Sequence, residues 1–263
     1  MSDALVLCYH GVSEDWPADI SISPGRLADQ IRWFLARGHR PVTFTAAATG
    51  EERGRVLAVT FDDAYRSIGE LALPLLSELG VPATVFAPTR FVADPGARGW
   101  DGTDMWVGTQ WEDELAVMSW NELGTLADAG WEIGSHTRTH PRLTRLGDAA
   151  LRDELGTSRV ELEEALGRPC RSLAYPYGDT DRRVATAAAA AGYSAAGGLL
   201  PGRVSARDPL LFPRISVGRG WADATLRRRA RPVHRRLQRS RAWPAVPVLL
   251  RAARTMRRRA RLK

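Results

Sequence analysis

The pattern of apolar and polar positions divides this chain into alternating strand-like and helix-like stretches. Residues 5–9 (Leu-Val-Leu-Cys-Tyr) are an apolar run of the length expected for a buried strand. Residues 24–38 predict a helix, with Ser23 as N-cap, Pro24 at its first position and Gly38 at its end. A second strand is expected over 40–44, and a third, almost wholly apolar, over 56–61, where it stops at Asp62-Asp63. Residues 68–79 read as a helix closed by Gly80, and 83–87 as the next strand. Ser119 with Glu122 three residues on is a capping box, which predicts a helix over 119–129. A strand over 131–135 delivers His136, and a long helix over 148–166 ends at Gly167. A strand over 172–175 runs into Pro176-Tyr177-Gly178, followed by a helix over 181–191 and short strands at 193–196 and 211–217.

Strands and helices that alternate with short, glycine-punctuated links predict a parallel sheet with crossover helices. In such folds chemistry gathers at the carboxyl ends of the strands. Asp62, Asp63, His136 and Tyr177 all follow directly on strand-like runs. One stretch breaks the alternation. Residues 94–120 carry Trp100, Trp106, Trp111 and Trp120 among glycines and carboxylates, and are too long for a simple connection. Indole rings in a rim loop offer flat faces for stacking, so Trp100, Trp106 and Trp111 are candidate substrate contacts, while Trp120 is expected to anchor its helix.

Composition changes the picture in one respect. Of 263 residues 44% are hydrophobic, enough for a core and too few for a membrane protein. The net charge of +7 hides two regions: residues 226–263 hold 14 Arg and Lys263 with no acid, whereas residues 1–225 hold 22 basic against 30 acidic side chains. An acidic domain over 1–222 is therefore expected to carry a basic helical extension over 223–263. Leu226, Ala230, Val233 and Leu237 line one stripe of that extension, which suits a helix on an anionic membrane surface first, a disordered or self-packing extension second, and nucleic-acid or acidic-partner binding last. Residues 1–10 show no export signal, so Cys8 and Cys170 are expected to be reduced and the chain cytoplasmic, peripheral at the inner membrane face. Cys8 reads as a buried small apolar side chain.

The candidate chemistry lies in two fragments, Asp62-Asp63 and His136-Thr137-Arg138-Thr139-His140. Two imidazoles and one carboxylate can hold Zn²⁺ with a position left open for water. The second carboxylate is then free to take a proton from that water.

Leu57-Ala58-Val59-Thr60-Phe61-Asp62-Asp63, Gly134-Ser135-His136-Thr137-Arg138-Thr139-His140-Pro141 and Ala174-Tyr175-Pro176-Tyr177-Gly178 resemble the successive motifs of the polysaccharide deacetylases, the fourth carbohydrate-esterase family. The resemblance runs from about residue 5 to residue 217. It implies a distorted (β/α) barrel of about seven parallel strands. It also implies a divalent metal, Zn²⁺ first, on Asp63, His136 and His140, with Asp62 as general base and the Tyr177 backbone N–H stabilising the oxyanion. The family's usual C-terminal His is absent. His10, in Tyr9-His10-Gly11, resembles the Tyr-His opening of permuted members and is the expected general acid. The third motif also lacks the Arg that orients the base; Arg214 on a late strand is the candidate to replace it, with Arg171 weaker.

The function implied is removal of an N-acetyl or other small acyl group from an amino sugar, in a glycan or a lipid-linked precursor. Deformylation or cyclic-amide hydrolysis on the same fold is the alternative. A carbohydrate-binding pseudoenzyme is the reading from another class.

Overall fold

The computed structural model describes residues 3–94, 96–200 and 204–231. Its elements run β1 (Asp3–Tyr9), β2 (Gly11–Val12), β3 (Ser21–Ile22), α1 (Pro24–Leu35), β4 (Arg40–Val42), α2 (Phe44–Thr49) and β5 (Arg55–Phe61). A π-helical turn at Ile68–Ala72 opens into α3 (Leu73–Glu78), followed by β6 (Ala83–Ala87), α4 (Thr89–Ala93), α5 (Trp120–Asp128), β7 (Glu132–Ser135) and α6 (Asp148–Leu166). The chain continues through β8 (Ser172–Ala174), α7 (Arg182–Ala190), β9 (Ala195–Leu199), β10 (Phe212–Ser216) and α8 (Asp223–Arg229).

Seven of the strands close into a parallel barrel in the order β1-β10-β9-β8-β7-β6-β5, with β5 paired back onto β1. The barrel is distorted at one place. β4 pairs with residues 56–58 of β5, and β6 takes over the same edge at 59–61, so β4 is a spur at the amino end of the wall.

Successive side chains on a strand point to opposite sides, and the barrel sorts them into two clusters. Outward residues such as Leu5, Leu7, Leu57, Val59 and Phe61 join the helices in the larger core. Inward residues including Ala4, Val6, Val56, Ala58, Phe86, Ala174, Ala195 and Phe212 form the smaller one. Burial on both faces is why the strands read as continuous apolar runs. Phe44 of α2 closes the bottom, its ring 5.3 Å from Phe86 and 6.3 Å from Phe212.

Residues 40–44 do not form one strand: β4 stops at Val42, Thr43 is the N-cap, and Phe44-Thr45-Ala46-Ala47-Ala48-Thr49 turns into a helix. The alanines favour helix, and Phe44 fills the barrel mouth. The strand expected over 193–196 runs instead through Ala195–Leu199. Gly197 and Gly198 are breakers by propensity, but a Cβ on Gly197 would lie 2.6 Å from Arg214 Nε, so the interior requires a residue without a side chain there. The capping box at Ser119 is present with both of its bonds, and the long helix spans Asp148–Leu166.

The basic extension begins as part of the domain. In α8, Asp223 accepts from Gln30 Nε2 at 2.8 Å and pairs with Arg26, while Leu226 and Ala230 are buried in the larger core. Residues 232–263, with Val233, Leu237 and most of the arginines, lie outside the described residues. Among the described residues no helix is long and apolar enough to cross a membrane.

Candidate functional site

The site sits at the carboxyl ends of the strands and has an inner and an outer part. The inner part follows from the period of two. Thr60 lies on the inward face of β5 and Asp62, one residue past its end, keeps that alternation with its N–H on Tyr9 O at 2.9 Å; Cys8 is paired beside Thr60 on β1. Arg214 crosses from β10, fully buried, and grips Asp62 with both ends: Nη1 to Oδ1 at 2.6 Å and Nη2 to Oδ2 at 2.8 Å. Nη1 also reaches Thr60 Oγ1 at 3.3 Å. The Cys8 thiol lies 3.4 Å from Asp62 Oδ2 and donates to it. Burial, the largest influence on Asp62, pushes its carboxyl up. Arg214 and then His136 outweigh burial and hold the carboxyl down to about 2. Burial likewise pushes the Cys8 thiol well up, so it stays protonated and able to donate.

The outer part rests on left-handed backbone. Among the described residues, five non-glycine residues have φ between 51° and 72°: Asp63, Ala64, Thr137, His140 and Tyr177. All lie in the three motifs or, for Ala64, directly after the first. Such conformations cost about 1–3 kcal/mol each and persist only where surroundings impose them. For Asp63 and Ala64 the surroundings are residues 116–118: Met118 N–H donates to Ala64 O at 2.9 Å and Arg66 N–H to Ala116 O at 2.7 Å. For the histidine loop the anchor is Glu154 of α6. Its Oε2 accepts from the Arg138 and Thr139 N–H groups at 2.9 Å each, and its Oε1 from Thr139 Oγ1 at 2.5 Å.

These turns bring Asp63 Oδ1 to 3.4 Å from both His136 Nε2 and His140 Nε2. Neither contact is a hydrogen bond, and Asp63 Oδ1 is a buried acceptor without a partner. The set fits a divalent metal. Bonds of about 2.0–2.1 Å in a tetrahedron put neighbouring ligand atoms about 3.3–3.4 Å apart, the spacing seen here. His136 donates Nδ1–H to Ala174 O at 2.8 Å, which leaves Nε2 free to ligate. Without a cation, burial would raise the Asp63 carboxyl, but His136 and His140 hold it well below the usual carboxylate range. Burial pushes His140 down, whereas for His136 the same burial is outweighed by Asp62 and Asp63, which raise it.

His10 is partly exposed at the same rim. One of its ring nitrogens, Cys8 Sγ and an Asp62 oxygen lie within 4.8 Å of one another, and its Nδ1 is buried without a partner. Tyr177 holds a left-handed turn between Pro176 and Gly178. Arg171 is far from this arrangement in role: it is exposed and pairs with Glu51. Of the three candidate tryptophans, Trp100 is 9% exposed, its ring 4.8 Å from His140 and stacked on Tyr65 at 5.9 Å, so it is a packing residue rather than a free platform. Trp106 and Trp111 are half-buried against the core, with Trp106 edge-on to Trp16. Neither Tyr65, whose buried hydroxyl has no hydrogen-bond partner, nor Glu154 carries a signal in the sequence that would mark it as part of the site. Trp120 opens α5 after its Ser119 cap.

Three comparisons with known proteins agree with this geometry. The family model described as "Polysaccharide deacetylase" matches residues 49–196, more than half of the chain. A curated poly-beta-1,6-N-acetyl-D-glucosamine N-deacetylase of Staphylococcus aureus (strain MSSA476) is 25% identical over 171 residues, covering 60% of this chain and 54% of that protein. The chain thus spans about half the length of that relative. Among solved structures, the Streptococcus pyogenes deacetylase PplD in complex with acetate has a TM-score of 0.72 at 20% identity, over 87% of this chain and 98% of that one. IcaB from Ammonifex degensii has a TM-score of 0.63 at 23% identity, over 85% and 94%. At these identities the two structures speak for the fold.

Proposed function

Because this chain belongs to the polysaccharide deacetylase family, we propose that it is a metal-dependent hydrolase that releases acetate from N-acetylated amino sugars of a glycan. The observation that carries the proposal is the division of labour between neighbouring carboxylates: Asp63 faces two imidazoles at 3.4 Å, while Asp62 is turned inward onto Arg214. A cation on Asp63, His136 and His140, with Zn²⁺ the first candidate for a carboxylate and two imidazoles, would acidify a water molecule and polarise the amide carbonyl.

The chain's own residues do the rest. Asp62 stays ionised across any working pH and accepts a proton from the attacking water at Oδ2. Arg214 keeps that carboxylate in one orientation and offsets the cost of burying its charge. The Tyr177 N–H stabilises the carbonyl oxygen as negative charge develops on it. His10 hands a proton to the departing nitrogen as the C–N bond breaks, giving acetate and a free amine. The name of the staphylococcal relative supports a β-linked N-acetylglucosamine glycan as substrate class. No observation favours a formyl group, a cyclic amide or a lipid-linked precursor over that reading.

We propose further that the Arg-rich extension holds the protein at an anionic membrane surface, with the cytoplasmic face as its site. Its composition supports this: 14 Arg and one Lys without an acid over 226–263. Flotation with phosphatidylglycerol vesicles, with and without residues 232–263, tests it, and equal flotation removes it. The catalytic proposal is tested by acetate release from defined N-acetylated oligosaccharides with Zn²⁺ supplied. A metal-loaded protein that releases no acetate from any of them overturns it.

A further inference from the structure

The reaction above uses only the backbone of Tyr177, yet its side chain makes a connection of its own. The hydroxyl lies 3.2 Å from His140 Nδ1 and donates to the backbone carbonyl of Asp101 at 3.0 Å. A phenol has one proton to give. With that hydrogen committed to the bond to the Asp101 carbonyl, the hydroxyl can only accept from His140, and Nδ1 must carry a hydrogen. An imidazole with Nδ1–H presents its lone pair at Nε2, the atom that faces Asp63 at 3.4 Å. His136 reaches the same state by donating to a strand carbonyl, Ala174 O, inside the barrel. His140 has no such strand neighbour and reaches it through a residue of the rim loop.

That loop is fastened to the same pair of residues in two further ways, once at Tyr177 and once at His140. The Arg142 guanidinium stands 4.0 Å over the Tyr177 ring and pairs with Asp101 Oδ2 at 3.4 Å. Trp100, the residue before Asp101, packs its ring on His140. The loop that carries Trp106 and Trp111 is therefore tied to one metal ligand by a hydrogen-bond relay and by a ring contact.

We propose that the Tyr177 hydroxyl is a positioning group that fixes the tautomer of His140 and couples occupation of the metal site to the order of the loop around Asp101. The inference rests on the metal reading above and adds a role that reading does not contain. An outer partner of a metal-bound histidine is worth about 10–100-fold in metal affinity.

Tyr177→Phe isolates the idea, because the ring stays under Arg142 and against His140 while only the hydroxyl goes. A purely structural role for the ring leaves this variant like the parent. Zn²⁺ affinity is read by competition with a chromogenic chelator, and loop order by hydrogen exchange of the amides of residues 98–106, each with and without Zn²⁺. In the parent, Zn²⁺ increases protection of these amides. In Tyr177→Phe affinity falls about 10–100-fold and the gain in protection is lost. Arg142→Gln, which keeps the hydroxyl and removes the clamp, lowers the gain in protection with a smaller change in affinity. Parent-like affinity in Tyr177→Phe, or a parent-like gain in loop protection, overturns the proposal. A parent that fails to bind Zn²⁺ at all overturns the metal reading instead, so the two failures are distinct.

Discussion

The two adjacent carboxylates are held in opposite ways. Asp62 belongs to the barrel interior: regular strands carry it, Cys8 and Arg214 surround it, and its neighbours follow from the alternation of β1, β5 and β10. Asp63 belongs to the rim, where left-handed turns at Asp63, Ala64, Thr137, His140 and Tyr177 bend three loops toward one point. The interior half is fixed by the ladder that also closes the barrel. The rim half is strained and depends on distant anchors, residues 116–118 and Glu154. In the proposed reaction the proton acceptor would therefore sit on the regular barrel wall and the metal-binding side chains on the strained loops.

The largest expected effect breaks the rim half. His136→Ala removes one of three ligand atoms; metal content measured on the purified protein falls and acetate release disappears. Asp62→Asn breaks only the interior half. Acetate release drops by about 10²–10⁴-fold, the size of a general-base contribution, while the metal stays bound. Loss of metal in this variant contradicts the separation of the two halves.

Stability changes sharpen the contrast. Arg214→Ala leaves Asp62 as an uncompensated buried charge and costs about 3–5 kcal/mol in denaturant unfolding. Glu154→Gln removes acceptor capacity under the histidine loop, costs about 1–3 kcal/mol, and changes metal affinity more than it changes the barrel. The smallest effect is on pH. The Asp62 carboxyl is about 2 in the folded protein against about 4 in an unfolded chain. A folded value below the unfolded one means stability that is complete above about pH 4 and lost as pH falls toward 2. Metal-free parent protein shows this slope in urea midpoints measured from pH 5 to 2.5, and Asp62→Asn shows less of it.

Much of this was legible in the chain itself. Apolar runs that stop at Asp62, His136 and Pro176 mark where strands end, and strand ends are where such folds keep their chemistry. Ser119 with Glu122 marked a helix start that is present with both bonds of the box. Other features were misread because local propensity points elsewhere. Phe44 extended a strand by its own preference but plugs the barrel as part of a helix. The strand expected over 193–196 continues through Gly197, where Arg214 needs the space. Trp100 looked like a sugar platform, yet it is packed against His140.

The sequence by itself determined the order of strands and helices, the residues at the strand ends and the donor set they offer, because these depend on spacings of a few residues. Only the tertiary structure decided that Arg214 reaches across 152 positions to Asp62, that Glu154 anchors the histidine loop, and that Tyr177 links His140 to Asp101. The first contact exists because β10 pairs with β1 and closes the ring; the other two join loops at the strand ends, and no local pattern records the proximity of such distant segments.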